Sequence, residues 1–117
     1  MGKTVTFFKS LCDQTRLSCL LLLSAEQELC VCELVEALDA QQSLVSRHLA
    51  QLRAAGLVED ERRGQWVHYR LSPDLPKWVL EVLEIVGRAE AESEDIIAAR
   101  RRLSAMLPRP PGRCEER

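Results

Sequence analysis

The sequence predicts a mainly helical domain carrying one β-hairpin. Three observations predict it. Apolar residues recur at helical spacing along most of the 117 residues. One stretch, residues 57–71, instead holds two β-prone runs about Gly64, the second of which, 66–71, alternates with period two. Aromatics make up 4%, and Gly and Pro number five each, too few turn-formers for a β-sandwich. At 46% hydrophobic and 29% charged, the composition is that of a single globular domain with its own core.

The elements follow in order. A first helix spans about 4–12, with Val5, Phe8 and Leu11 on one face. Asp13 then suits an N-cap, its carboxylate accepting from the orphan amides of a second helix that carries Leu17, Leu20 and Leu21. Val31, Leu34, Val35 and Leu38 fall at i, i+3, i+4 and i+7, the stripe of a short third helix. A polar turn, 39–42, leads to a fourth helix with Val45, Leu49 and Leu52 inward, ended by Gly56. The hairpin turns at Gly64, where a positive φ is needed. Pro76 opens what reads as one long helix to about Leu107, roughly 45 Å at 1.5 Å per residue. So long a helix overhangs its own core and asks for a second chain. The order is that of a winged helix-turn-helix, a homodimer through terminal helices. Residues 1–107 form the domain, and 108–117 a flexible Pro-rich tail.

The net charge is −2, but it is unevenly spread. Residues 40–73 carry Arg47, Arg53, Arg62, Arg63 and Arg70 against three acids, while both neighbouring stretches are acidic. Attraction to phosphate is local, within a Debye length of about 8–10 Å, so a basic stretch inside an acidic protein can meet DNA. With the fourth helix's leucines inward, Ser43, Arg47, Ala50 and Ala54 point outward, flanked by Ser46 and Gln51. Small residues let that helix approach the major groove, and Arg47 can grip a guanine edge bidentately. Gln41, Gln42, Ser43, Ser46, Arg47 and Gln51 are candidate contacts, with His48 as a packing or phosphate-contact residue. On the hairpin, Arg62, Arg63 and Gln65 suit the backbone or minor groove. A two-fold dimer then reads double-stranded palindromic operator DNA, its half-sites about one helical turn apart.

Five cysteines, Cys12, Cys19, Cys30, Cys32 and Cys114, make an odd number. Without a signal-peptide core, that points to free thiols in the cytoplasm. The longest aliphatic run, 20–23, is far below the roughly 20 residues of a membrane span, so no membrane partner is expected. Cys30 and Cys32 sit at the start of the third helix, where the helix dipole favours thiolate. Cys32 falls off the core stripe, toward Glu33 and Glu36. Two residues apart in a helix, the sulfurs diverge by about 200°; two apart in an extended segment, they share a face. Both can therefore grip one soft ion only if Cys30 precedes the helix in extended form or the first turn unwinds. Soft thiolates select soft ions. Trivalent arsenic or antimony takes three sulfurs in a pyramid, or two and another group, whereas zinc wants four ligands.

The segments FKSLCDQTRL (8–17), ELCVCEL (28–34), SLVSRHLAQLRAAGLV (43–58) and GQWVHYRLSP (64–73) together resemble the ArsR/SmtB family of metal-responsive repressors, the arsenic-responsive branch most of all. The resemblance covers roughly residues 5–80. It implies a homodimeric repressor of an arsenic-resistance operon, released from its operator when As(III) or Sb(III) binds. Cys30 and Cys32 match the two principal thiol ligands. Many relatives carry a third cysteine three residues after the second, where this chain has Val35. The third ligand is then Cys12, less readily Cys19 or Cys114, or else a hydroxide or an exogenous thiol. A methylated trivalent arsenical, another soft metal or thiol oxidation is the alternative signal. No phosphate-cradling loop with a catalytic thiol is present, so an enzyme is not expected, and no organic cofactor is implied.

Overall fold

The computed structural model describes residues 2–106. The tail 108–117, with Cys114, and the expected helix end at Leu107 lie outside the described residues. Among the described residues there are six helices and a three-stranded antiparallel sheet. The chain runs α1 (Gly2–Ser10), α2 (Gln14–Glu26), β1 (Leu29–Cys30), α3 (Val31–Leu38), α4 (Gln42–Ala54), β2 (Val58–Arg63), β3 (Trp66–Leu71), α5 (Lys77–Glu90) and α6 (Glu94–Ala105).

Asp13 caps α2 as its chemistry predicts, its Oδ1 accepting from Arg16 N at 3.1 Å. The leucines of α2 form the centre of the core: Leu20, Leu22 and Leu23 are all but sealed from solvent. Against them pack Leu34 of α3, Leu49 and Leu52 of α4, and Leu83 of α5. Helix α3 stops at Asp39, whose left-handed backbone (φ 51°) turns the chain; Ala40 N returns to Val35 O at 3.3 Å. This turn sets α4 against α3 as a helix-turn-helix. Gly56, at φ +79°, ends α4, and Gly64, at φ +61°, turns the hairpin. Strand β2 pairs with β3 from Val58↔Leu71 to Arg63↔Trp66.

Two expectations need correcting. The sheet has a third strand: β1 pairs with β3, Leu29 opposite Tyr69 and Cys30 opposite His68. The long terminal helix is two helices. At 91–93 the chain breaks, and Ser93 caps a new helix, its Oγ accepting from Ile96 N at 3.3 Å. Glu94 and Asp95 in the first turn of α6 complement the helix dipole. Helix α6 then folds back, burying Ile96, Ala99 and Leu103. It packs on α3, and Arg102 Nε donates to Ala37 O at 2.8 Å. Arg102 thus satisfies one of the carbonyls that the end of α3 leaves without a helical partner.

Candidate nucleic-acid interface and thiol site

Helix α4 presents its predicted outer face to solvent. Gln41, Gln42, Ser43, Arg47, Ala50, Gln51 and Ala54 are exposed and Ser46 is half-buried, while Val45, Leu49 and Leu52 are sealed inside. The small outer residues leave room for a groove floor, as the spacing requires. His48 is not on this face. It is buried, with Nδ1 3.1 Å from Gln51 Oε1 and Nε2 3.7 Å from Asp13. Arg16 joins the same cluster, donating to Gln51 Oε1 at 3.0 Å and to the carbonyls of Ser10 and Lys9. His48 therefore fastens α4 to the α1–α2 corner, the packing role rather than the phosphate contact.

The hairpin is less basic than its arginines suggest. Arg63 forks onto Glu28, at 2.6 and 2.9 Å, and onto Glu61 at 2.8 Å. Arg70 bonds Glu59 at 2.6 Å, and Arg53 bonds Asp60 at 2.8 Å. The acids of β2 thus engage three of the five arginines counted in this stretch. Arg62 and Gln65 are exposed at the tip, and Arg47 on α4. Arg63 ties the hairpin to Glu28, just before β1. Its hydrogen bond is the main reason the Glu28 carboxyl lies below the usual range, with Arg63, His68 and Arg70 adding charge attraction. His68, sealed from solvent, faces the same carboxylate at 3.4 Å.

Cys30 and Cys32 meet the geometric condition set by their spacing. Cys30 is extended (φ −85°, ψ 165°) as the last residue of β1 and the N-cap of α3. Cys32 lies in the first helical turn. Their sulfurs stand 2.6 Å apart. Cys30 is buried and Cys32 half-buried. Glu33, expected on the outer face, is buried instead: its Oε1 accepts from Cys30 N at 3.0 Å and holds the strand-to-helix corner. A cleft of about 320 Å³ opens beside Cys32, walled by Val35 of α3, Gln42 and Ser46 of α4, and Gln65 and Trp66 of the hairpin.

The other candidate ligands stand elsewhere. Cys19 is sealed in the core, and its thiol is pushed up to about 12 by burial, with Asp13 adding to the effect. In the described structure Cys19 packs as a small apolar residue of the core. Cys12 is exposed at the end of α1, its Sγ 3.4 Å from Phe8 O. No group of three or more His, Cys, Asp or Glu able to hold a metal ion occurs among the described residues.

A further apolar surface lies on α1 and α5. Val5, Phe8, Trp78, Leu80 and Ile85 are all more than a third exposed. Phe7 and Phe8 both pack on Trp78, at ring separations of 5.5 and 6.3 Å. This uncovered surface is not an overhanging end of one long helix: α6 packs on α3 instead.

A helix-turn-helix with an outward polar helix and a two-stranded wing defines a winged helix-turn-helix DNA-binding regulator. Residues 13–60 match the family described as bacterial regulatory protein, arsR family. The arsenical resistance operon repressor of Escherichia coli K12 is 50% identical over 93 residues, 80% of each chain. The protein belongs to the ArsR family of transcriptional regulators. Among solved structures, the antimony-specific repressor AntR superposes with a TM-score of 0.64 at 32% identity, covering 78% of this chain and 83% of that one. The homodimeric winged helix-turn-helix domain Mb0332 from Mycobacterium bovis gives 0.63 at 26% identity, covering 78% and 81%.

Proposed function

We propose that the protein represses an arsenic-resistance operon in the cytoplasm and leaves its DNA when As(III) or Sb(III) binds Cys30 and Cys32. The observation that carries this reading is the convergence of the two sulfurs from a strand end and a helix start. Both thiolates can reach one soft ion there without the first turn unwinding beforehand. Three bonds to a pyramidal ion still fix the distance and angle between the two sulfurs, so binding strains the corner that Glu33 holds. Helix α3 rests directly on α4, so a shift at that corner moves the DNA-reading helix. The AntR and Escherichia coli names favour a metalloid signal over zinc.

Two copies would join through the apolar face of α1 and α5; the Mb0332 domain is homodimeric as well. The two α4 helices then address successive major grooves of a palindromic operator. Gln41, Gln42, Ser43, Ser46, Arg47 and Gln51 would make the groove contacts, with Arg62 and Gln65 on the flanking backbone or minor groove. A second reading, oxidation of the Cys30–Cys32 pair, is favoured by the same sulfur proximity. Both are tested by anisotropy of a labelled operator with reduced protein, titrated with arsenite, zinc and peroxide. Release by arsenite alone supports the metalloid reading, and release by peroxide alone replaces it. The Cys32→Ser variant should bind DNA normally and ignore arsenite; loss of DNA binding would make Cys32 structural.

A further inference from the structure

We propose that the third arsenic bond is made by a small cysteinyl-peptide thiol, of the glutathione class, seated in the cleft beside Cys32. This rests on the metalloid reading above. Trivalent arsenic held by Cys30 and Cys32 has one bond left to make. Cys30 is sealed from solvent, so the open side of the pair is the side of Cys32, which lines the cleft. Val35 stands one turn further along α3, where i and i+3 side chains are neighbours. It presents an apolar group where a third protein thiolate on this helix would have to stand.

The cleft has the size and chemistry for a small peptide thiol. Its volume, about 320 Å³, is at the lower end of small-ligand sites. Its lining is partly apolar, with Val35, Trp66 and Val67 beside Cys32, which suits a soft S–As–S centre better than a hydroxide. The same lining carries the amide of Gln42 and the hydroxyl of Ser46, groups that pair with peptide amides and carboxylates. The step is a ligand exchange without redox change. Three As–O bonds of arsenous acid break and three As–S bonds form, and each thiol proton leaves with a hydroxide as water.

The location adds a consequence for release. Gln42, Ser46 and Gln65 wall the cleft and also face the proposed DNA surface. A peptide thiol held against them competes with the operator directly, on top of any strain at the corner of α3.

The test uses full-length protein reduced with a phosphine, so that no thiol reductant is present. Arsenite is titrated against protein on labelled operator, with and without millimolar glutathione, and with S-methylglutathione as the control. Glutathione should lower the arsenite needed for half-release roughly tenfold, the shift expected when the thiol is at about ten times its dissociation constant. S-methylglutathione should do nothing. X-ray absorption should count two sulfurs on arsenic without glutathione and three with it, and native mass spectrometry should find protein, arsenic and glutathione together. The Val35→Cys variant should show three sulfurs and full sensitivity with no glutathione. Three sulfurs on the unaltered protein alone would assign the bond to a protein thiol and overturn the proposal, as would no effect of glutathione on either readout. Failure of arsenite to release DNA in every condition would overturn the metalloid reading itself.

Discussion

Replacing Leu103 by Ala tests whether the chain turns back at 91–93. In the structure Leu103 is 1% exposed and belongs to the main core. A Leu→Ala change at such a site removes the transfer energy of the side chain and leaves a cavity, together about 2.5–5 kcal/mol. Because α6 ends two residues later, its last turn can partly collapse, which favours the lower half, about 3 kcal/mol. For a domain of about 100 residues each kcal/mol moves the midpoint by roughly 4–8 °C, so a fall of about 12–24 °C is expected. Urea unfolding at several protein concentrations separates this loss from any weakening of a dimer, since only the latter varies with concentration. The neighbouring Ser104→Ala, on the exposed side, should stay within about 0.5 kcal/mol. If Leu103→Ala were as mild as Ser104→Ala, Leu103 would not be buried on α3, and α5 and α6 would form one projecting helix after all.

Three further outcomes follow from the site. The Glu28 carboxyl ionises more readily folded than its ordinary value of 4.5, so its contribution is present above that pH and lost as pH falls through the lower folded value. Urea midpoints should drop below about pH 4.5, and Glu28→Gln should flatten that part of the profile; an unchanged profile would remove Glu28 as the hairpin's anchor. With Cys19 pushed up to about 12 and Cys12 exposed, iodoacetamide at mild alkaline pH should label Cys12 and spare Cys19 until the protein is unfolded; early labelling of Cys19 would contradict the core placement. Arg47→Ala should weaken operator binding and reduce the slope of log affinity against log salt by about 1 if it meets a phosphate, or cost about 1–3 kcal/mol at one base pair if it reads a guanine. No effect on either would take Arg47 off the interface.

Much of this architecture is legible in the residues because its signals are local. Asp13 before α2, the apolar stripe of α3, Gly56 after α4 and Gly64 between two β-prone runs each act within a few residues of themselves. Strand β1 is invisible to such reasoning. Two residues show no period, and Leu29–Cys30 is a strand only because β3, nearly forty residues later, supplies its partners. The break at 91–93 did have a signal, Ser93 followed by Glu94 and Asp95, which suits a cap and an acidic first turn. It was outweighed because Ile96 and Ile97 prolong the apolar stripe of α5. At the site, the Cys30–Cys32 pair could be read from spacing as a conditional, and its condition depends on the unseen strand. The surroundings of His48 and Arg63 depend on Asp13 and Glu28, distant in sequence, so residue type left His48 open between packing and phosphate contact and gave no hint of the Arg63 ion pair.

The pairing of Cys30 with His68 means that the thiol pair and the wing share a backbone ladder. A displacement at Cys30 reaches the hairpin through amide hydrogen bonds, with no side chain as intermediary. The other route, from α3 to α4, runs through packed leucines and valines. On the proposed reading, one thiol event would have two mechanical outputs, one toward α4 and one toward the hairpin. Substitutions that loosen the helix packing would leave the ladder intact, and those that unpair β1 would leave the packing intact. Damage to either should yield a regulator whose response is blunted, releasing DNA over a wider range of signal, and not one that is deaf to it.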